Sequence, residues 1–262
     1  MAAYPPYTVL MSLYARENPV WLRSSLDSIL GQTVPPSQVV LVKDGDLTPE
    51  LDGVLEEYER SYPSLFKIIG YHENRGLGYA LMVGLGACDN EMVARMDTDD
   101  YAMPNRCEQQ LKAFESDASL GLLGTHITEF LDSPSKPVSN SGLPETYEDI
   151  VACSKRRNPF RHPSMMFKKS VAVAAGGYSP EFLYFEDWDL FNRMLMSGCH
   201  ARNLHEPLVA MRISPDFFGR RGGLKYLSHT WRFKAAQFKR GWFSPADLAC
   251  SFLPHAIVCL MP

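Results

Sequence analysis

Residues 91–100 read EMVARMDTDD, an apolar run that leads directly into a group of acids. The run 91–96 has the length and composition of a buried β-strand. Carboxylates directly after a strand are good ligands for Mg²⁺ or Mn²⁺, especially where phosphates supply the remaining ligands. A metal held here would stabilise the negative charge of a diphosphate leaving group. A second interpretation is a polar turn that caps the helix opened by Pro104.

The same acids suggest a calcium-binding EF-hand, in which Asp97, Asp99 and Glu108 would take loop positions one, three and twelve. Positions five and six are then Tyr101 and Ala102, where such a loop needs a ligand and a glycine. A strand rather than a helix also precedes the acids. We therefore discard the EF-hand.

Upstream of the acids, apolar β-rich runs alternate with helix signals. The predicted strands are 7–14, 38–43 and 66–71, and the predicted helices begin after Asn18, at Thr48 and within 76–88. Such alternation predicts a mainly parallel sheet with helices on both faces. Ligands of these sheets bind at the carboxyl ends of the strands. We therefore expect Asp44, which ends the second strand, to lie at the same edge as Asp97.

The glycines of the segment 76–88 do not have the G-x-G-x-x-G spacing of a dinucleotide-binding fingerprint, and they follow the third strand rather than the first. Gly84 and Gly86 are better explained by close packing of a helix on the sheet. The second half is less regular. Its predicted elements are a helix after Pro104, a surface loop 132–145, a strand 163–168, a helix 186–197 and strands near 200–213.

Composition restricts the class of protein. A chain of 262 residues fits one large α/β domain, alone or with a small appendage. The net charge of −4 gives no support to nucleic-acid binding. The six cysteines include no C-x-x-C pair, so they predict reduced thiols in a reducing compartment rather than a structural zinc site. The sequence shows neither a secretory signal nor eighteen uninterrupted apolar residues, so a spanning helix is not expected.

In chain order, the motifs resemble those of the family 2 glycosyltransferases, which have the GT-A fold. The resemblance covers about residues 7–215, and its closest likeness is to bacterial enzymes of O-antigen, capsule and exopolysaccharide (amylovoran-type) synthesis. The matching pieces are Tyr14-Ala15-Arg16-Glu17, Gln32-Thr33, Val42-Lys43-Asp44-Gly45, Asn74-Arg75-Gly76-Leu77, Arg95-Met96-Asp97-Thr98-Asp99-Asp100, Arg161-His162-Pro163-Ser164, Gly176-Gly177-Tyr178 and Glu186-Asp187-Trp188-Asp189-Leu190.

The resemblance implies an α/β fold with a Rossmann-like, mixed but mainly parallel nucleotide-sugar-binding sheet and helices on both faces. It divides a catalytic domain 1–216 into a nucleotide-binding half 1–101 and an acceptor-binding half 102–216. It implies a UDP-sugar donor and Mn²⁺ or Mg²⁺ held by Asp99 and Asp97. The residues expected to bind the nucleotide-sugar are Tyr14, Glu17, Asp44, Arg75, Arg95, Asp97, Thr98, Asp99, Asp100, Arg212, Arg220 and Arg221.

Asp187 is the candidate base, which in the resembling family deprotonates the acceptor hydroxyl during a single inverting displacement. The neighbouring Glu186 and Asp189 are expected to raise its pKa. His162, Glu186 and Trp188 are expected to contact or support the acceptor. Other interpretations stay open: an acid-rich helix start favoured by the helix dipole, a structural His162, an Asp100 that only caps, and ordinary loop charge for Arg220-Arg221.

Two departures from the family pattern bear on function. Lys43 stands before Asp44, where the family often has a second acid. Gln237-Phe238-Lys239-Arg240-Gly241-Trp242 differs by an extra glycine from the Gln-x-x-Arg-Trp signature of polymerising synthases. With no spanning helices expected, this difference favours transfer of one sugar per acceptor.

The segment 217–262 predicts an amphipathic, membrane-associating extension. From Phe217 to Pro245 it carries no acid, and Leu224, Leu227, Trp231, Ala235, Phe238 and Trp242 recur at three or four residues among lysines and arginines. Such a helix can lie on an anionic membrane. This placement suits an acceptor glycan linked to a polyprenyl diphosphate and a cytoplasmic enzyme at the inner face of a bacterial plasma membrane. The alternative is a helix packed on the catalytic domain with a solvated basic face.

Two other functions remain open at this point. A nucleotidyltransferase also uses strand-end carboxylates with magnesium, although residues 10–20 lack its Gly- and Lys-rich phosphate loop. A non-catalytic sugar- or membrane-binding module on the same fold would bind its ligands without turnover.

Overall fold

The computed structural model of the chain describes residues 4–213 and 223–260. The strands are β1 (Tyr7–Leu13), β2 (Gln38–Asp44), β3 (Phe66–Tyr71), β4 (Met92–Arg95), β5 (Tyr101–Ala102), β6 (Leu120–Phe130), β7 (Ser139–Ser141), β8 (Met166–Lys168) and β9 (His200–Arg212). The helices are α1 (Pro19–Leu30), α2 (Pro49–Ser61), α3 (Leu77–Ala87), α4 (Arg106–Ser116), α5 (Tyr147–Ser154), α6 (Lys169–Ala174), α7 (Glu186–Met196), α8 (Gly223–Lys239) and α9 (Pro245–Leu260), with a 3-10 turn at His162–Ser164.

All the strands belong to one mixed sheet in the order β3-β2-β1-β4-β8-β6-β9-β5, with β7 paired to β6. β3, β2, β1 and β4 are mutually parallel, β8 is antiparallel to both β4 and β6, and β9 is parallel to β6. The predicted α/β class and mainly parallel sheet are confirmed. β4 belongs to the expected nucleotide-binding half 1–101 and β8 to the expected acceptor-binding half 102–216. Because these two strands pair, both halves belong to one continuous sheet.

Local capping explains why the first helices begin where they do. The Asn18 side chain accepts hydrogen bonds from the backbone N–H groups of the first turn of α1, and the Thr48 hydroxyl accepts one at the start of α2. Pro19 and Pro49 occupy the first helical position, where a missing N–H costs nothing. Both helices begin as the sequence predicts.

Two apolar layers cover the two faces of the sheet. On β2, Val39 and Leu41 face the layer that includes α1, α2 and α4, whereas Val40 and Val42 face the layer that includes α3 and α7. Side chains alternate along a strand, so burial on both faces requires the continuous apolar run that β2 has. Burial of each such side chain contributes about 1.5–3 kcal/mol.

Gly84 lets α3 approach the sheet closely, as the sequence predicts. A Cβ at this position would lie 2.5 Å from the Leu10 side chain and 2.8 Å from that of Val42. The matching expectation for Gly86 is wrong, because a Cβ there would meet nothing within 4 Å.

The second half differs from its prediction in three places. The run expected as a strand at 163–168 begins as the 3-10 turn and becomes β8 at Met166. The loop 132–145 contains β7, which pairs with β6 at Glu129. The strands expected near 200–213 form one strand, β9, whose pairing with β6 is interrupted by register shifts.

The C-terminal helices pack on the rest of the molecule. Tyr226 and Phe233 of α8 are buried against Phe182, Phe185 and Trp188 at the start of α7. α9 packs along α8, where Trp231 and Phe252 make an edge-to-face ring contact at 5.1 Å. Among the described residues, no helix has both the length and the apolar character needed to cross a membrane.

Candidate active site

The acidic group lies between the end of β4 and β5, on the same edge of the sheet as the end of β2. Asp100 is buried, and its Oδ1 accepts a hydrogen bond from the backbone N–H of Arg212 at 2.7 Å. This contact joins the acidic loop to the end of β9. Asp99 lies beside further acids, and burial together with the charges of Asp97 and Glu17 raises its pKa to about 7.

Arg95 is a buried residue at the end of β4 that hydrogen-bonds to the start of the acidic loop. Its side chain is fully buried, and its guanidinium donates to the Met96 carbonyl and to Asp97 Oδ1. Its Nε has no hydrogen-bond partner. These contacts place Arg95 as a support for Asp97 rather than as an exposed cation at the edge of the sheet.

Asp44 ties the end of β2 to the start of α3. Its carboxylate is buried and accepts from the backbone N–H groups of Arg75 at 2.7 Å and Gly76 at 3.0 Å, and from the Tyr71 hydroxyl at 2.8 Å. A carboxylate offers about four acceptor positions, so about one remains for a ligand. The Arg75 side chain is exposed beside this carboxylate and stacks on Tyr79 at 4.5 Å.

The loop after β1 meets the acidic group through Glu17, whose Oε2 accepts from the Thr98 hydroxyl at 3.2 Å. Burial raises the pKa of Glu17 above its ordinary value. Tyr14, on the same loop, is 38% exposed. The fold therefore places the loop after β1 and the acidic loop at one edge of the sheet, as expected for Tyr14, Glu17 and Thr98.

Arg212, at the end of β9, packs beside the acidic loop. Its guanidinium lies 4.4 Å from the Trp21 ring and 4.5 Å from the Phe130 ring, and it donates to the carbonyls of Asp99 at 3.1 Å and Leu131 at 2.8 Å. The planar cation is thus fixed against the acidic loop. The expected neighbours Arg220 and Arg221 lie outside the described residues.

Asp187 lies in the first turn of α7 and is partly exposed. Its Oδ2 accepts from the Asn158 side chain at 2.8 Å, and its Oδ1 accepts from the Trp188 backbone N–H at 2.6 Å. Both contacts orient the carboxylate. Asn158 is a site residue that the sequence analysis missed; its one signal is its position in the loop just before the Arg161-His162-Pro163 motif.

Glu186 connects α7 to the acidic loop electrostatically. Burial and the adjacent charge of Asp187 raise the pKa of Glu186 to about 8, and the charge of Asp97 acts in the same direction, while the Arg95 guanidinium opposes it. The start of α7 therefore shares one electrostatic environment with the loop after β4. Glu186 and Asp97, about ninety positions apart in the sequence, are thus close enough to influence each other's charge.

Asp189 does not serve as a free negative neighbour of Asp187. Its carboxylate is buried and accepts from Arg193 at 2.8 Å, from Gln237 at 3.0 Å and from Arg240. The guanidinium groups of Arg193 and Arg240 balance the charge of Asp189. Asp189 therefore does not act as the unpaired negative charge that was expected to raise the pKa of Asp187. Its contacts instead fasten the end of α8 to α7.

His162 and Trp188 are buried away from solvent. His162 Nε2 lies 2.9 Å from the Tyr178 hydroxyl, and burial together with the Arg95 charge keeps its pKa well below the ordinary value, so the ring is neutral. These contacts favour the structural interpretation of His162. Trp188 donates its Nε1–H to the Ser154 carbonyl at 2.9 Å and packs on Phe233, so it supports the α7–α8 contact.

The residues around Asp97 and Asp99 fit a divalent ion such as Mg²⁺ or Mn²⁺. The ligand type, carboxylate oxygen, is the one that these ions prefer, and burial together with the charges of Asp97 and Glu17 shows that Asp99 lies partly shielded among further acids. In the part of the chain that the structure describes, these acids do not form a compact group of three ligands with another His, Cys, Asp or Glu. An ion held by these carboxylates would take its remaining ligands from phosphate oxygens and water.

Comparison with known proteins agrees with this geometry. Residues 8–173 match the family model described as glycosyl transferase family 2, and the chain belongs to this family. It is 33% identical over 258 residues to the UDP-Gal:alpha-D-GlcNAc-diphosphoundecaprenol beta-1,3-galactosyltransferase of Escherichia coli, over 98% of this chain and 92% of the relative. It is also 33% identical over 259 residues to the amylovoran biosynthesis glycosyltransferase AmsE of Erwinia amylovora, over 98% and 94% of the two chains.

Two solved structures share the fold. TarS of S. aureus superposes with a TM-score of 0.67 at 17% identity, covering 96% of this chain, which spans 43% of that longer chain. A mannosyltransferase of Pyrobaculum calidifontis, in complex with GDP-Man and Mn²⁺, superposes with a TM-score of 0.67 at 18% identity over 98% of this chain and 73% of that one. At these identities the likeness shows the fold alone. The resemblance to bacterial surface-polysaccharide glycosyltransferases and the predicted GT-A fold are both confirmed.

Proposed function

We propose that this family 2 glycosyltransferase moves one hexose or N-acetylhexosamine from a UDP-sugar to a hydroxyl of a polyprenyl-diphosphate-linked glycan. The product would belong to a bacterial surface polysaccharide. The observation that carries the proposal is that α7 begins beside the edge that holds Asp44. Gly78, near the start of the helix whose preceding Gly76 N–H is bonded to Asp44, packs against Glu186, the neighbour of Asp187. The E. coli relative, by its name, uses UDP-galactose and a diphosphoundecaprenol-linked acceptor, which supports this choice of substrates.

In this proposal the nucleotide lies at the carboxyl ends of β1, β2 and β4. The free acceptor position of Asp44 suits a base N–H, while Tyr14 and Arg75 are exposed nearby to contact the base or the diphosphate. Asp99, with Asp97, would hold Mn²⁺ or Mg²⁺, which would stabilise the charge of the leaving diphosphate. Arg95 and Arg212 position the acidic loop, as their contacts with Asp97 and with the Asp99 carbonyl indicate.

Asp187 is the proposed base. It would take the proton of the acceptor hydroxyl as that oxygen bonds to the anomeric carbon and the bond to the UDP oxygen breaks. Asn158 and the Trp188 N–H hold the carboxylate in one orientation. A single displacement inverts the anomeric configuration. Among the described residues, Asp187 is the one carboxylate of the first turn of α7 that is not buried, which supports inversion.

The test compares Asp187→Asn with Glu59→Gln, an exposed acid near the end of α2 and away from the site, in an assay of UDP release with a polyprenyl-diphosphate acceptor. We expect the Asp187 variant to lose about 10²–10⁴-fold in kcat while its affinity for UDP is unchanged, since general-base catalysis supplies that factor. The control should match the wild type. Equal turnover in the Asp187 variant would remove the base from the mechanism. Nucleotide binding without turnover in the wild type would favour the non-catalytic module instead.

We also propose that the exposed side of α8 contacts an anionic membrane. Leu224, Trp231 and Phe238 are 74%, 49% and 41% exposed and lie seven residues apart, and each is followed by an exposed cation (Lys225, Arg232 and Lys239). Leu253 and Ile257 of α9 are exposed as well. The α8 helix thus packs on the catalytic domain through one face and offers an apolar, cationic line on another.

Flotation of the whole chain on vesicles tests the membrane contact, because α8 is part of the packed structure and its deletion would expose α7. We expect Leu224→Ser with Phe238→Ser to abolish flotation on vesicles rich in anionic lipid, and these residues are chosen because Trp231 also packs on α9. Met82→Ser, an exposed apolar residue on α3, should float like the wild type. Flotation of the double variant at the wild-type level would sink the proposal. Binding would support our proposal that the enzyme is cytoplasmic and works at the inner face of the plasma membrane, beside a lipid-linked acceptor.

A further inference from the structure

A second group of metal-ligating side chains lies on the strands β6 and β9. It consists of His126 on β6, Glu145 on the segment before α5, and His205 on β9. Glu145 Oε1 lies 2.7 Å from His205 Nδ1 and 3.5 Å from His126 Nε2, and all three ligand atoms lie within 4.8 Å of one another. In the described ranges 4–213 and 223–260, no other three His, Cys, Asp or Glu residues come this close.

The backbone brings these residues together. Along the β6–β9 ladder Thr125 pairs with Leu204 but His126 pairs with Pro207, so His205 and its neighbour form an irregularity in β9. A bulge of this kind redirects side chains that a regular ladder would not bring to one side. The segment with Glu145 is fastened to the same strand, since Asn203 donates its N–H to the Glu145 carbonyl at 3.3 Å and its Nδ2 to the Pro144 carbonyl at 2.7 Å.

We propose that His126, Glu145 and His205 bind a divalent transition metal of the zinc class, at a site separate from the acidic loop. Two imidazole nitrogens and one carboxylate oxygen are a ligand set that suits Zn²⁺, with the fourth position open to water or another ligand. The acidic loop, in contrast, offers oxygen only. Glu145 and His205 also line a cavity of about 470 Å³, which gives an ion a path to the site.

A metal-free ion pair is the competing interpretation. The Glu145 carboxylate, hydrogen-bonded to His205, raises the pKa of that ring and has its own pKa lowered. His126 Nε2 likewise has a local partner, since it lies 3.1 Å from the Leu143 carbonyl oxygen and 3.3 Å from the Leu143 backbone nitrogen. A metal would replace the proton on His205, so its affinity should fall as the pH is lowered.

A bound metal would fasten the Glu145 segment to the sheet. α5 begins two residues after Glu145, and the carbonyl of its last residue, Ser154, accepts from Trp188 in the helix that carries Asp187. We therefore expect metal binding to raise the thermal midpoint of the chain. This readout does not depend on the identity of the sugar substrates.

Calorimetric titration of the EDTA-treated full chain with ZnCl₂ tests the site. The acidic loop is silenced with Asp97→Asn and Asp99→Asn, and in that background His205→Ala is compared with His200→Ala, an exposed histidine of the same strand and cavity. We expect one zinc per chain in the background protein and in the His200 variant. Loss of a direct ligand in the His205 variant should weaken binding by roughly 10-fold or more.

Glu145→Gln provides the second variant and should weaken zinc binding similarly, while the thermal midpoint of the zinc-free protein shows that it remains folded. Zinc affinity unchanged by both the His205 and the Glu145 substitutions would place the metal elsewhere, for example on the exposed Cys250, and would overturn the proposal. No zinc uptake by the background protein at micromolar concentration would overturn it too.

Discussion

Gly78 controls how closely α3, beside the nucleotide edge, approaches the start of α7. A Cβ at Gly78 would lie 2.5 Å from the Ser179 backbone carbonyl oxygen and 3.1 Å from Glu186 Cβ. Backbone cannot move aside as a side chain can. To reach an ordinary carbon–oxygen contact of roughly 3.2 Å, the two segments must separate by about 0.7 Å.

Gly86→Ala is the matched control in the same helix, because a Cβ there meets nothing within 4 Å. Both substitutions gain helix propensity of up to about 1 kcal/mol, so the difference between the two variants isolates the clash. We expect Gly78→Ala to be about 1–3 kcal/mol less stable than Gly86→Ala in urea unfolding, the usual cost of overpacking.

A smaller displacement should reach the chemistry, because the 3.1 Å contact with Glu186 Cβ requires the start of α7 to move by a few tenths of an ångström. A misplacement of about 1 Å at a reacting group can cost 100-fold, so this shift next to Asp187 predicts a loss of roughly 3- to 10-fold in kcat. The assay is UDP release at saturating donor, under conditions in which both variants are folded. A kcat of Gly78→Ala equal to that of Gly86→Ala would refute the claim that α3 sets the position of Asp187.

Two predictions concern α8 and Arg240, the residue that follows it. Burial lowers the pKa of Lys234 to about 8; the unfolded chain therefore binds more protons between pH 8 and about 10.5, and stability rises with pH there. Lys234→Met should gain about 1–3 kcal/mol in urea unfolding at pH 7, and its advantage should shrink by pH 10; a gain independent of pH would contradict this cause. Arg240→Gln removes a cation from the buried Asp189 and should cost about 1–3 kcal/mol, whereas the exposed Lys239→Gln should cost almost nothing; equal losses would refute the pairing.

Most of the first half of the fold follows from local signals. β1, β2 and β3 are apolar runs, and the caps at Asn18 and Thr48 begin their helices where predicted. β6, in contrast, is not predicted from the sequence, although it lies between two other strands of the sheet. Its sequence LGLLGTHITEF is interrupted by glycines and polar residues, and its main partner β9 follows some seventy residues later, so the pairing cannot be seen locally.

The candidate site also combines positions that the sequence predicts with contacts that it does not. The strand-end rule correctly expects Asp44 and the Asp97 loop at one edge. The contacts that orient the groups could not be predicted, because they join distant segments: Asn158 with Asp187, Arg212 with the loop 112 residues earlier, and Arg240 with Asp189. Such pairings depend on the register of β9 and on the docking of α8, which only the complete fold sets.

Calorimetric titration with UDP, GDP and their common sugars, first with Mn²⁺ and then with EDTA, tests the central claim most directly. We predict that the wild type binds UDP and a UDP-sugar in the presence of Mn²⁺, and that both EDTA and Asp99→Ala abolish this binding. Glu59→Gln, an exposed acid near the end of α2, should bind as the wild type does. Failure to bind any nucleotide, or binding that neither EDTA nor the Asp99 substitution affects, would contradict a metal-assisted donor site at the end of β4.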